Sequence, residues 1–177
     1  MQSLNNNYFE IFNLPVSCDL NLESLAEEYR KQQSEVHPDR FVNADESAKL
    51  KAVQLSSYLN EAYETLKSPL KRAAYLLSLY GRDVEQVDQS DLSMDVLMEQ
   101  IRLRETLDDM PKDESALEGL EELKKEVQSK LDRQQQLFSE KIDLEDFDAA
   151  KKVYHELQFL TKLMAEVDAG EELRLGY

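Results

Sequence analysis

Val36-His37-Pro38-Asp39-Arg40 breaks a helical pattern at a point that decides the fold. Proline has no backbone N–H and pushes its predecessor out of α geometry. A helix from about Leu22 therefore ends near Glu35 or Val36. Leu22, Leu25, Ala26, Tyr29 and Val36 give it an apolar stripe, and Asn21 is its cap. A second helix is expected from about Asp45 to Lys67, with Ala52, Leu55, Leu59, Ala62, Tyr63 and Leu66 at helical spacing. His37, Pro38 and Asp39 then stand at the tip of a helical hairpin, on a bent loop suited to recognition.

Outward from the hairpin the chain reads as helical throughout. Tyr8 to Leu14 is a short aromatic helix, capped by Asn7 and stopped by Pro15. Pro69 opens a helix that closes at Gly81. That helix is apolar on most sides, so burial against two bodies and a fixed, bent arrangement are expected. Residues 81–92 read as a polar connection. Asp95 to Met110, Ser115 to about Glu140 and Leu144 to about Asp168 read as three further helices with short links, hence an antiparallel bundle. Ala169 to Tyr177 are expected to fray. The fold expected is all-α: a hairpin domain over 1–80, then a three-helix domain over 93–177.

Composition removes several classes. The single Cys18 excludes an internal disulfide framework and a cysteine-rich zinc site. No apolar run approaches a membrane span, and Met1 to Asn7 lacks a signal peptide's basic start and apolar stretch, so a cytoplasmic protein is expected. The net charge is −16. Residues 1–80 hold 8 basic and 11 acidic groups, and residues 81–177 hold 13 and 26. Such an acidic second half argues against nucleic acid and suits a basic partner.

Chemistry is scarce. His37 and Asp39 lack further metal ligands, and the only other histidine, His155, lies far along the chain. His155 reads as a surface or partly buried helix residue, and Cys18 as a small hydrophobe. No nucleophile–base pair or phosphate-binding glycine loop is present. No enzyme activity, cofactor or metal is expected.

The helix after the connection has two apolar sides. At about 100° per residue, Val96, Leu103, Leu107 and Met110 share one direction. Leu97, Met98 and Ile101 point elsewhere, followed by Glu105, Asp108 and Asp109. Either the helix buries both sides, or the second side is an exposed patch with an acidic end that binds a protein. Phe159 lies off the stripe of the last helix, either packed on a neighbour or an anchor for a partner.

His37-Pro38-Asp39 between two helices, with Leu59-Asn60-Glu61-Ala62-Tyr63-Glu64-Thr65-Leu66 after it, resembles a J-domain, the module by which DnaJ-type co-chaperones engage DnaK-type chaperones. Tyr8-Phe9, Phe12-Asn13-Leu14-Pro15, Arg72-Ala73-Ala74-Tyr75-Leu76-Leu77, Leu97-Met98-Glu99-Gln100 and Phe159-Leu160-Thr161-Lys162-Leu163 extend the likeness to the HscB family of iron–sulfur assembly co-chaperones, in its bacterial form. The resemblance implies a monomer that stimulates the ATPase of an HscA-like DnaK-type chaperone through His37, Pro38 and Asp39. It also implies that an IscU-like cluster scaffold binds at Leu97, Met98, Ile101, Glu105, Asp109 and Phe159.

The resemblance also implies a basic contribution to chaperone docking, for which Arg30, Lys31 and Arg40 are the candidates. The sequence departs from the family in two places. Residues 25–40 carry a net −1, where J-domains usually have a basic helix. Arg102 stands where relatives can present an acid, which sets it apart from the scaffold contacts. A general DnaJ-like co-chaperone for unfolded clients is the alternative. It would bring Gly/Phe-rich and Cys-rich segments, which this sequence lacks.

Overall fold

The computed structural model describes residues 6–176. Among them run seven α-helices and no strand: α1 (Tyr8–Ile11), α2 (Leu22–Glu35), α3 (Glu46–Lys67), α4 (Pro69–Leu79), α5 (Met94–Asp108), α6 (Leu117–Asp143) and α7 (Phe147–Leu175). The chain forms two compact units, divided within α4 between Leu76 and Leu77.

In the first unit local chemistry sets each helix end. Asn7 and Glu10 form a reciprocal capping box on α1. Asn13, at φ 55°, closes α1 in the left-handed conformation that asparagine tolerates. Asn21 caps α2 by accepting from the Ser24 N–H at 3.0 Å, and Asp45 caps α3 from Ala48 at 2.7 Å. Between them Pro38–Phe41 forms one 3-10 turn.

Phe9, Ile11, Phe12, Leu25, Leu59, Ala62 and Leu66 are fully buried and form the core. The hairpin is clamped by polar and aromatic pairs. Tyr29 stacks on Tyr63 at 4.1 Å, its hydroxyl donates to Asn60 at 2.6 Å, and Ser56 donates to Gln33 at 3.0 Å. Tyr8 stacks on Tyr75 at 4.3 Å, and its N–H donates to the Tyr75 hydroxyl at 2.9 Å. Leu22 departs from the expected stripe, being 49% exposed. It lies on the correct face but in the first turn of α2; a wheel gives direction, not how far along the helix the neighbours reach.

In the second unit, Gly81 at φ 74° ends α4 in a Schellman motif, with Arg82 N–H to Leu77 O at 2.9 Å and Gly81 N–H to Ser78 O at 3.1 Å. The α6–α7 turn uses the same motif without glycine. Glu145 takes φ 57°, and Asp146 N–H reaches Lys141 O at 2.9 Å. With no glycine to mark this turn, α6 extends beyond the expected end near Glu140, and α7 starts at Phe147, not Leu144. The segment expected to fray is helical to Leu175, with Gly176 as its left-handed cap; Tyr177 lies outside the described residues. Arg174 explains this order, because its guanidinium donates to Pro111 O at 2.6 and 2.9 Å and to Gly170 O at 2.7 Å. Leu120, Leu123, Val127, Leu131 and Phe138 of α6 pack with Leu157, Leu160, Leu163 and Val167 of α7, all buried.

The polar connection is not loose. Asp91 is buried and accepts the Asp88 N–H at 2.7 Å. Its carboxylate lies 3.2 Å from the Lys151 ammonium and 3.8 Å from His155 Nε2. Lys151 also donates to the Gln86 carbonyl. Burial pushes the Asp91 carboxyl up, but the Asp88 N–H and Lys151 outweigh it and hold it below the usual range. His155 is thus not a surface or partly buried residue: it is 93% buried beside this pair, at 7% relative exposure.

Candidate functional site

The hairpin tip is built by backbone constraint. Val36 remains buried and anchors the end of α2, while His37, Pro38, Asp39 and Arg40 are exposed. Pro38 starts the 3-10 turn with its locked φ, and His37 caps it, Nδ1 accepting from the Asp39 N–H at 3.4 Å. The same Nδ1 lies 3.5 Å from the Asp39 carboxylate. The imidazole and carboxylate therefore face solvent together. Arg30 and Lys31 are exposed on α2, Lys31 3.9 Å from Glu28. Two surface features here escaped the sequence reading. Val42 and Val53 are 65% and 61% exposed, and with Pro38, Phe41 and Lys49 they line a groove beside the tip. The helical spacing of the apolar residues along α3 was readable, but not which apolar side chains neighbours would leave uncovered. Among the described residues no group of three or more His, Cys, Asp or Glu side chains is arranged to hold a metal.

On α5 the two apolar sides part company. Leu103 is buried at 1% exposure, and Val96, Leu107 and Met110 are half-buried on its side. Met98 and Ile101 are 62% and 57% exposed. The helix does not bury both faces. Leu97 is half-buried at the edge of the exposed side, and Glu105, Asp108 and Asp109 are exposed at its C-terminal end. Met94, 70% exposed, adds one more turn to this face at the i, i+4, i+7 spacing of Met94, Met98 and Ile101. The sequence reading began the helix at Asp95 and passed over Met94, although Ser93, whose hydroxyl caps Val96 at 3.3 Å, was the available signal.

Phe159 is half-buried on α7 under the Arg104 guanidinium, 5.9 Å from the ring centroid, and Arg104 itself pairs with Glu166. Arg102, exposed one turn after Met98, is held by acidic neighbours. It binds Glu99 at 2.9 Å with two hydrogen bonds and also Glu126, while Lys130 reaches Glu99 at 2.6 Å. Arg102 and Lys130 hold the Glu99 carboxyl down at about 2.

The model of the DnaJ domain matches residues 7–75, and a model described as the HSCB C-terminal oligomerisation domain matches residues 92–168. The solved structure of the chaperone HscB from Vibrio cholerae is 34% identical, with a TM-score of 0.83 over 94% of this chain and 98% of that one. The chain belongs to the HscB family. The human co-chaperone HscB, at 24% identity, shares the fold, with a TM-score of 0.85 over 95% of this chain and 83% of its own.

As an HscB-family protein the chain is a J-domain co-chaperone of a family serving iron–sulfur cluster assembly. Of the residues singled out in the sequence, His37, Pro38 and Asp39 come together at one exposed tip. Met98, Ile101, Glu105 and Asp109 share one exposed helix side, with Leu97 at its edge. Phe159 is set on a different helix and is partly covered. No helix among the described residues is long and apolar enough to cross a membrane.

Proposed function

We propose that this protein recruits an IscU-like iron–sulfur scaffold to an HscA-like DnaK-type chaperone and stimulates that chaperone's ATPase, without catalysing a reaction itself. The observation that carries the reading is the division of α5 into a buried Leu103 side and an exposed Met98–Ile101 side, in a chain of this family. An exposed apolar face with an acidic end is a protein-binding surface. The scaffold is assigned to Leu97, Met98, Ile101, Glu105, Asp109 and Phe159. The chaperone is assigned to His37, Pro38 and Asp39, with Arg30, Lys31 and Arg40 alongside. The protein works in the cytoplasm as a monomer, with no nucleic acid or membrane partner.

Steady-state ATPase assays with the chaperone, with and without scaffold, test the reading. Stimulation by the chain, raised further by scaffold, is expected; no stimulation by the folded chain would sink it. A second reading has one point in its favour, the oligomerisation named by the family model that covers residues 92–168. In that reading the Met98–Ile101 face joins two copies. Sedimentation of the chain alone and with scaffold separates the two readings, because a self-association face would be occupied before scaffold arrives.

A further inference from the structure

The first two turns of α5 carry Met94, Met98 and Ile101, and little apolar packing holds them. No residue from Met94 to Arg102 is buried; Leu103, in the third turn, is the first that is. The chain just before α5 is held firmly instead. Asp91 is buried, accepts the Asp88 N–H at 2.7 Å and faces the Lys151 ammonium at 3.2 Å. Lys151, equally buried, also lies 3.7 Å from the Asp88 carboxylate and donates to the Gln86 carbonyl. One side chain of α7 thus ties Gln86, Asp88 and Asp91 together. Leu92 and Ser93, both extended, are all that separate this tie from Met94. On α7, Lys151, His155 and Phe159 follow one another at i, i+4 steps. Phe159 borders the same small cavity as Val96 and Leu103 of α5. The tie and the underside of α5 therefore lie along one side of α7.

A buried ion pair adds little stability over an apolar pair of the same size, because desolvation offsets the attraction. What it adds is direction. Apolar side chains could settle on α7 in several registers at similar cost. A carboxylate that accepts from the Asp88 N–H and from Lys151 at once fits in one place. We propose that Asp91 and Lys151 are positioning residues for scaffold binding: their buried pair fixes where the connection docks on α7, and so seats the first turns of α5 with Met98 and Ile101 in the arrangement that the scaffold meets. Both are buried, so they act through α5 and not by contact with the partner. The inference rests on the reading of α5 as the scaffold-binding helix.

Asp91→Asn with Lys151→Met separates positioning from mere structure, because it removes both charges at nearly constant volume. The double variant should melt near the parent temperature, since no unpaired charge is left buried. Amide exchange followed by NMR, without scaffold, should show protection falling about tenfold over residues 94–101 and unchanged in α6 and α7. In calorimetric titration scaffold affinity should fall about tenfold, because binding must now order a loosened helix. Stimulation of the chaperone without scaffold should stay as it is. Lys151→Arg keeps the charge and should retain parent affinity. Asp91→Asn alone keeps an acceptor for both donors and should lose about threefold in affinity; it carries the test if the double variant does not fold. Parent-like affinity in a folded variant without the pair would overturn the proposal. So would protection lost equally across α5, α6 and α7, which is the mark of a purely structural pair. If the parent chain itself binds no scaffold, the reading of α5 fails and the role in binding falls with it, whereas the exchange pattern still shows whether the pair seats α5.

Discussion

The tip of the α2–α3 hairpin and the exposed side of α5 are opposite kinds of surface. At the tip, three consecutive residues are held by backbone geometry: a proline that locks φ, a histidine that caps the turn and an aspartate 3.5 Å from it. On α5 the surface is apolar area spread over two turns, with Met98 and Ile101 62% and 57% exposed and acids at one end. A surface of the first kind works through the placement of a few groups, so one substitution can remove all of its effect. A surface of the second kind works through area taken out of water, so its loss is graded with each side chain removed.

The largest effect is expected at the tip. His37→Gln should abolish stimulation of the chaperone's ATPase while circular dichroism and the melting temperature stay as they are, because His37 is exposed and only caps one turn. Partial stimulation by that variant would show that the tip, too, works by graded area.

Opposite sides of α5 come next. Met98→Ala with Ile101→Ala should weaken scaffold binding by about three powers of ten in calorimetric titration, since anchors near an interface centre can each contribute about 2 kcal/mol and each 1.4 kcal/mol is tenfold. The same pair should change stability little, within about 0.5 kcal/mol per site. Leu103→Ala, from the buried side, should cost about 2–5 kcal/mol of stability in denaturant titration. Equal stability losses on the two sides would erase the distinction between them. Leu97 and Phe159 are half-buried, so truncating them should affect both quantities.

Smaller effects belong to the charges. Glu105→Ala with Asp109→Ala should slow association about threefold at low salt and leave dissociation nearly unchanged, a difference that vanishes at high salt. Stopped-flow mixing across a salt series measures this. The smallest effect concerns Glu99, whose carboxyl is held down from 4.5 to about 2 by Arg102 and Lys130. A depressed carboxyl stabilises the folded state fully above pH 4.5 and loses that contribution as pH falls toward about 2. Glu99→Gln should therefore flatten the acid limb of the stability profile in that window. The change should be small because the group is partly exposed and screened.

The helical hairpin and its tip were legible in the sequence because proline and the caps Asn21 and Asp45 act locally. The division of α5 was half legible. The wheel set Leu97, Met98 and Ile101 apart from Leu103, but only burial decides whether a second apolar side is covered. Where local signals fail, so did the reading. Glu145 turns the chain at φ 57° without a glycine, and Arg174 orders the end of α7 through the distant Pro111 carbonyl. The buried meeting of Asp91, Lys151 and His155 joins residues about sixty positions apart, which no periodicity encodes.

The claim that the two surfaces serve two different partners is tested most directly by the chaperone's ATPase rate with and without scaffold, measured for His37→Gln and for Met98→Ala with Ile101→Ala. His37→Gln should remove stimulation in both conditions while still binding scaffold. The α5 pair should keep the scaffold-free stimulation and lose only the further increase that scaffold brings. If both variants lose the same part of the response, the two surfaces do not act separately, and the assignment of one to the chaperone and the other to the scaffold is wrong.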